Sequence, residues 1–141
     1  METNKRYTVN WALFIGALFG LSAVGMGAYA DHGVGATMDS GDFYALMTAV
    51  RYQQYYALLI VALGLITWAP VSAKLARRVL ITAMFFFVGT LLFSGGIYLS
   101  RVWGMPKAAL LTPYGGVLIM LSWAMLAWNA VTLTFIRSDQ S

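Results

Sequence analysis

Trp11-Ala12-Leu13-Phe14-Ile15-Gly16-Ala17-Leu18-Phe19-Gly20-Leu21-Ser22-Ala23-Val24-Gly25-Met26-Gly27-Ala28-Tyr29-Ala30 is an apolar run of 20 residues, broken only by Ser22. Wound into an α-helix at ~1.5 Å per residue, it crosses the ~30 Å hydrocarbon core of a bilayer. It also has the outline of a secretion signal: Lys5 and Arg6 lead in, and Ala28-Tyr29-Ala30 supplies a small-x-small end. The apolar stretch exceeds the ~7–15 residues of a signal core, so the expectation is a retained first helix. Ala12, Gly16, Gly20, Ala23 and Gly27 recur within it at steps of four, four, three and four. They form one stripe along which another helix can approach closely. Packing within the chain is the ordinary use of such a stripe, and a homodimer seam is the sharper one. Spacing does not separate them.

Composition extends the membrane reading to the rest of the chain. Of 141 residues, 60% are hydrophobic and 10% charged, against ~25% charged in typical soluble domains. That much apolar surface needs lipid as its solvent, and the length suits a single domain over 1–141. The net charge of +4 fits orientation signals and anionic headgroups better than nucleic acid, because the basic residues sit in short connections. With no cysteine, neither a disulfide framework nor a thiolate metal site is available.

Working outward, Asp31 to Ser40 reads as a loop, with Ser40 as candidate N-cap and Asp42 at the positive end of the next helix. A helical pattern then runs to Ala69, where Pro70 stops it. Counting back ~20 residues sets a span at about 50–69, leaving Arg51 near headgroup depth. The connection with Lys74, Arg77 and Arg78 precedes a third span at about 79–100, and Ala108 to Leu111 is too short to cross. Thr112-Pro113 reads as N-cap and first-turn proline, opening a fourth span at about 113–136. Gly95, Gly96, Gly115 and Gly116 join Gly16, Gly20 and Gly27 as expected sites of close helix packing. The expected fold is an all-α integral membrane protein, a bundle of four transmembrane helices. Lys5, Arg6, Lys74, Arg77, Arg78 and Arg137 fall on the side of the termini, and Arg51, Arg101 and Lys107 on the other. That excess predicts cytoplasmic termini.

Polar chemistry concentrates in Arg51-Tyr52-Gln53-Gln54-Tyr55-Tyr56. Tyr52, Tyr55 and Tyr56 share a helix face by their spacing, though tyrosine is common wherever a helix meets the interface. Arg51 has Asp31, Asp39 and Asp42 within reach as ion-pair partners on the same side. A polar pocket from His32, Arg51, Tyr52, Gln54, Tyr55, Tyr56 and Tyr98 is the resulting expectation. His32 is the sole histidine, so one chain holds no bis-histidine haem, and the aspartates near it match no zinc spacing. A hydrogen-bonded loop residue is the more ordinary reading of His32. The sequence holds no activated nucleophile or paired acid and base. Nor do its spans carry Asp, Glu, Lys or His at depth to mark a proton path. No catalytic, cofactor-binding or metal-binding residue is expected.

Four stretches add a resemblance: Gly27-Ala28-Tyr29-Ala30-Asp31-His32-Gly33, Thr48-Ala49-Val50-Arg51-Tyr52-Gln53, Gly89 to Tyr98, and Thr112-Pro113-Tyr114-Gly115-Gly116. In this order and spacing, across about Trp11 to Ala130, the chain resembles domain-of-unknown-function family 423. That family comprises small YgdD-like inner-membrane proteins and, more distantly, animal transmembrane protein 256 relatives. The resemblance implies four spans and no known reaction. It also marks departures: Ala30 and Asp31 replace a usual glycine and alanine, and Tyr56 stands where the family has a histidine.

The functional expectation is a non-catalytic packing or accessory subunit, partnered by the bilayer and by itself or other membrane subunits, in a bacterial inner (plasma) membrane. The alternative is a small transport or lipophilic-ligand protein with a polar pocket on the outer side.

Overall fold

The computed structural model describes residues 10–138. Helix α1, Trp11–Tyr29, passes directly into a π-helical turn, Ala30–Val34. Then follow α2, Ser40–Ile66; α3, Ala73–Arg101; a 3-10 turn, Pro106–Leu110; and α4, Leu111–Ser138. There is no strand among the described residues. Four segments are long and apolar enough to cross a membrane: Trp11–Val34, Ser40–Ile66, Ala73–Arg101 and Pro106–Thr132. Lys5 and Arg6, which bear on orientation, lie outside the described residues.

Local chemistry moves several expected boundaries. Asp31 to Val34 is helical rather than loop, since the chain widens into the π turn instead of breaking. The N-cap of α2 is Asp39, not Ser40: its carboxylate accepts from the Gly41 N–H at 2.9 Å. Helix α2 ends at Ile66, three residues short of Ala69, as the Thr67 hydroxyl bonds back to the Gly64 carbonyl. Helix α3 begins early because Ser72 caps it, accepting from Leu75 N–H at 3.2 Å. Lys74, Arg77 and Arg78 therefore occupy its first two turns rather than a loop. At α4 the helix is already under way at Leu111, so Thr112 is no cap, and its hydroxyl approaches the Phe93 carbonyl of α3.

The helices pack antiparallel in chain order: α1 on α2, α2 on α3, α3 on α4. Among the described residues α1 and α4 do not meet, so the bundle is open. Asn10 ties the terminus-side ends of the first pair. Its side-chain oxygen caps α1 at Leu13 N–H, while its amide nitrogen donates to the Gly64 carbonyl and the Thr67 hydroxyl at the close of α2. Ala12, Ile60, Leu63, Val79, Ala83, Phe86 and Ile119 form a core nearer the termini. A second core toward the loops is built from Ala30, Leu46, Ala49, Val50 and Tyr98.

Glycines set the spacing of two helix pairs. A Cβ on Gly16 would lie 3.0 Å from the Val61 nitrogen and 3.2 Å from the Ala57 carbonyl oxygen, and one on Gly64 would lie 2.8 Å from the Leu13 nitrogen. Between α3 and α4, a Cβ on Gly115 would come within 2.6 Å of the Gly89 carbonyl oxygen and closer still to the Phe93 nitrogen. Gly20 and Gly27 make ordinary contacts with Ala57 and Val50, and Gly116 a looser one with Phe93. Gly96 is tight against the Ala108 carbonyl and the Thr112 hydroxyl, yet a Cβ on neighbouring Gly95 would meet nothing within 4 Å. Gly95 is thus no helix-packing glycine. Gly64 and Gly89, unmarked in the sequence reading, are. Gly115→Ala is expected to cost about 1–3 kcal/mol through overpacking, visible as a lowered thermal unfolding midpoint in detergent. Gly95→Ala, at an open helical position, is expected to leave that midpoint unchanged or raise it.

Candidate functional site

Because α1 and α3 both pack on α2 and barely on each other, a groove lies between them, floored at its loop end by Gln53 of α2. The Phe19 and Phe87 rings meet edge to face across it, with centroids 5.3 Å apart, between two recesses. Toward the termini, a cleft of about 530 Å³ is lined chiefly by Trp11, Leu80, Met84 and Phe85, with Arg77 also lining it. Toward the loops, a recess of about 260 Å³ is lined by Phe19, Ser22, Gln53, Ser94, Gly95 and Tyr98, with the half-exposed indole of Trp103 also lining it. Gly95 leaves the second recess open, which is what its missing side chain does here.

Ser22, Gln53 and Tyr98 in that recess form one connected chain, and Ser94 bonds beside it. The Gln53 amide nitrogen donates to the Phe19 carbonyl at 3.0 Å and to the Ser22 hydroxyl at 2.7 Å. Tyr98 donates its hydroxyl to the Gln53 side-chain oxygen at 2.7 Å. Ser22 and Ser94 donate to the Phe19 and Ala49 carbonyls at 3.0 Å and 2.9 Å. Gln53 is 3% exposed, Tyr98 8% and Ser94 1%, so the bonds of Tyr98 and Ser94 to α2 are shielded from competing solvent, and Gln53 links α2 to α1 on one side and to α3 on the other. A carbonyl only accepts, so the bond to Phe19 fixes which end of the Gln53 amide faces α1. The other end must then accept from Tyr98.

Only Tyr98 of the expected pocket residues lines this recess. Gln53, not Gln54, supplies the amide. Tyr52 and Tyr56 pack on other parts of α3, outside the recess, where Tyr52 stacks on Phe93 at 4.7 Å and Tyr56 on Phe86 at 5.4 Å. The Tyr56 hydroxyl accepts from the Trp123 indole N–H of α4 at 3.2 Å. Tyr55 is 62% exposed, and His32 is exposed on the π turn. Arg51 pairs with none of the three aspartates proposed for it. It reaches back along its own helix to the Met47 carbonyl and Thr48 hydroxyl and lies 5.9 Å from the Tyr44 ring centroid. Asp42 is instead taken by Arg101 at 2.6 Å, because antiparallel packing sets the end of α3 beside the start of α2. The signal for Gln53 was its phase: Ala49, Gln53, Ala57, Ile60 and Gly64 recur at steps of four, four, three and four, all buried.

Four apolar helices of spanning length, locked by glycine contacts and internal hydrogen bonds, define an integral membrane protein of the small helical-bundle class. The chain belongs to the family described as Protein of unknown function (DUF423), whose profile matches residues 26–116. It is 33% identical over 121 residues to UPF0382 membrane protein YwdK of Bacillus subtilis, covering 84% of this chain and 94% of that one. It is 28% identical over 130 residues to UPF0382 inner membrane protein YgdD of Escherichia coli K12, covering 89% and 93%. No solved structure matches the chain at a significant level. The inner (plasma) membrane is its location: the name of YgdD states an inner membrane for that protein, and the name of YwdK a membrane. Gln53, Ser94, Gly95, Tyr98 and Trp103 fall inside the matched region, and Phe19 and Ser22 just before it.

Gln53→Leu is expected to destabilise the fold by about 1–3 kcal/mol, since it strands the buried Tyr98 donor. Adding Tyr98→Phe is expected to recover part of that loss. A double-mutant cycle on thermal unfolding in detergent measures the coupling.

Proposed function

We propose that this chain is a non-catalytic binding protein that holds a lipophilic molecule in the groove between α1 and α3. The observation that supports it best is the loop-end recess. Its walls are apolar, it opens to the flank of the bundle, and one connected set of polar side chains lies at its base. Binding sites for small molecules have this composition, a mostly apolar lining with a few fixed polar groups. Its volume lies just under the ~300–1,000 Å³ of such sites, which suits the head and first part of a long-chain molecule. The same side chains argue against catalysis: they are hydroxyls and an amide tied to neighbouring carbonyls, with no base beside them. A role as a packing subunit draws less support, since Gly16, Gly64, Gly89, Gly96 and Gly115 close on other parts of this chain.

Purification in mild detergent followed by mass analysis of extracted lipid tests the reading. About one retained lipophilic molecule per chain is expected, with a large loss in Gly95→Leu, which fills the recess without meeting the backbone. Wild-type protein free of lipid, or an unchanged amount in the variant, would overturn it. Recovery in a fixed ratio with another membrane protein and without lipid would restore the subunit role.

We also propose cytoplasmic termini, supported by six basic residues on that side against three. The chain lacks cysteine, so single cysteines report cleanly. In intact cells Thr37→Cys is expected to react with an impermeant maleimide and Ser72→Cys to be protected; the reverse pattern would invert the orientation.

A further inference from the structure

We infer that the loop-end recess selects a neutral amphiphile whose head donates a hydrogen bond, a hydroxyl-bearing lipid rather than one that only accepts. The inference rests on the binding role proposed above and adds the chemistry of the head.

The direction of the hydrogen-bond chain supplies the argument. Both protons of the Gln53 amide go to α1, one to the Phe19 carbonyl and one to the Ser22 oxygen. Tyr98 gives its proton to Gln53, Ser22 to Phe19 and Ser94 to Ala49. Every side-chain donor at the base of the recess is therefore engaged, and the backbone carbonyl of Phe19 fixes the sense of the central pair. Unused capacity consists of oxygen lone pairs: a second one on the Gln53 carbonyl, and those of the Tyr98 and Ser94 hydroxyls. An incoming hydroxyl finds acceptors there. An ether or ketone oxygen would face lone pairs with its own lone pairs and gain no bond. The remaining side-chain donor among the lining residues is the indole of Trp103, more than half exposed.

Neutrality follows from charge and depth. No charged side chain lines the recess, and Arg101, the basic residue nearest in sequence to Tyr98, is paired with Asp42. Ser94 stands seven residues before Arg101, about 10 Å below the end of α3 at ~1.5 Å per residue. A charged head at that depth would be costly to bury without a partner. A hydroxyl is not, provided that it is bonded.

The test uses two isomeric probes, hexadecanol and pentadecyl methyl ether, titrated against the full chain in mild detergent, with bound fractions read by native mass spectrometry. The alcohol is expected to bind about tenfold more tightly, the scale of one net hydrogen bond. Equal binding would overturn the donor selectivity and leave the groove reading standing. If neither probe binds, both fall. Gln53→Leu frees the Tyr98 proton, so in that variant the ether is expected to gain on the alcohol and the preference to collapse. An unchanged preference there would overturn the assigned direction of the chain. Should the variant fail to fold, the wild-type pair still decides.

Discussion

Backbone contact between helices is the constraint on which this structure depends. In lipid, burying apolar side chains between helices gains little over leaving them in hydrocarbon, so close approach and internal hydrogen bonds must hold the bundle together. Gly16 and Gly64 bring α1 and α2 together, and Gly89 and Gly115 do the same for α3 and α4. Those two tight pairs share the seam between α2 and α3. Its larger side chains, Phe86 and Tyr98 among them, hold the hairpins together without closing α1 onto α4. The groove is a direct result, because two helices that both lean on a third leave a furrow between themselves.

Much of the architecture was legible in the chain because the bilayer imposes a length on each apolar run. Four such runs, separated by short connections, leave little freedom in topology. The small-residue stripe of α1 was also readable, and its partner proves to be α2. Boundaries moved where a side chain capped a helix that hydropathy alone could not terminate, as Ser72 does for α3 and Asp39 for α2. Asn10, just before the first apolar run, joins two helices because its amide reaches the Gly64 carbonyl and the Thr67 hydroxyl where α2 ends.

The site was harder to read, for a physical reason. Tyrosines and an arginine dominate Arg51 to Tyr56 by size and polarity, yet helical phase, not polarity, decides which side chains face a neighbour. Gln53 shares the phase of Ala49 and Ala57 and is buried. Gln54 is one step of about 100° away and misses the recess. Tyr56, the position where the family resemblance implies a histidine, stacks on Phe86 of α3 and accepts from the Trp123 indole of α4, outside the recess. Ser22 and Gly95 carry no conspicuous chemistry alone, and only the meeting of three helices gives them a role.

Packing that joins each helix chiefly to its immediate successor has a consequence for biogenesis. Every major contact surface is complete once the next segment has been made, so no helix must wait for a distant one to arrive. Assemblies built from sequence-local contacts have small loop-closure penalties and form quickly. The contacts of the described helices thus permit docking in the order of synthesis. The Phe19 carbonyl, the Ser22 hydroxyl and the Ala49 carbonyl are in place before α3 emerges, and Ser94 and Tyr98 arrive last to complete a site already half built.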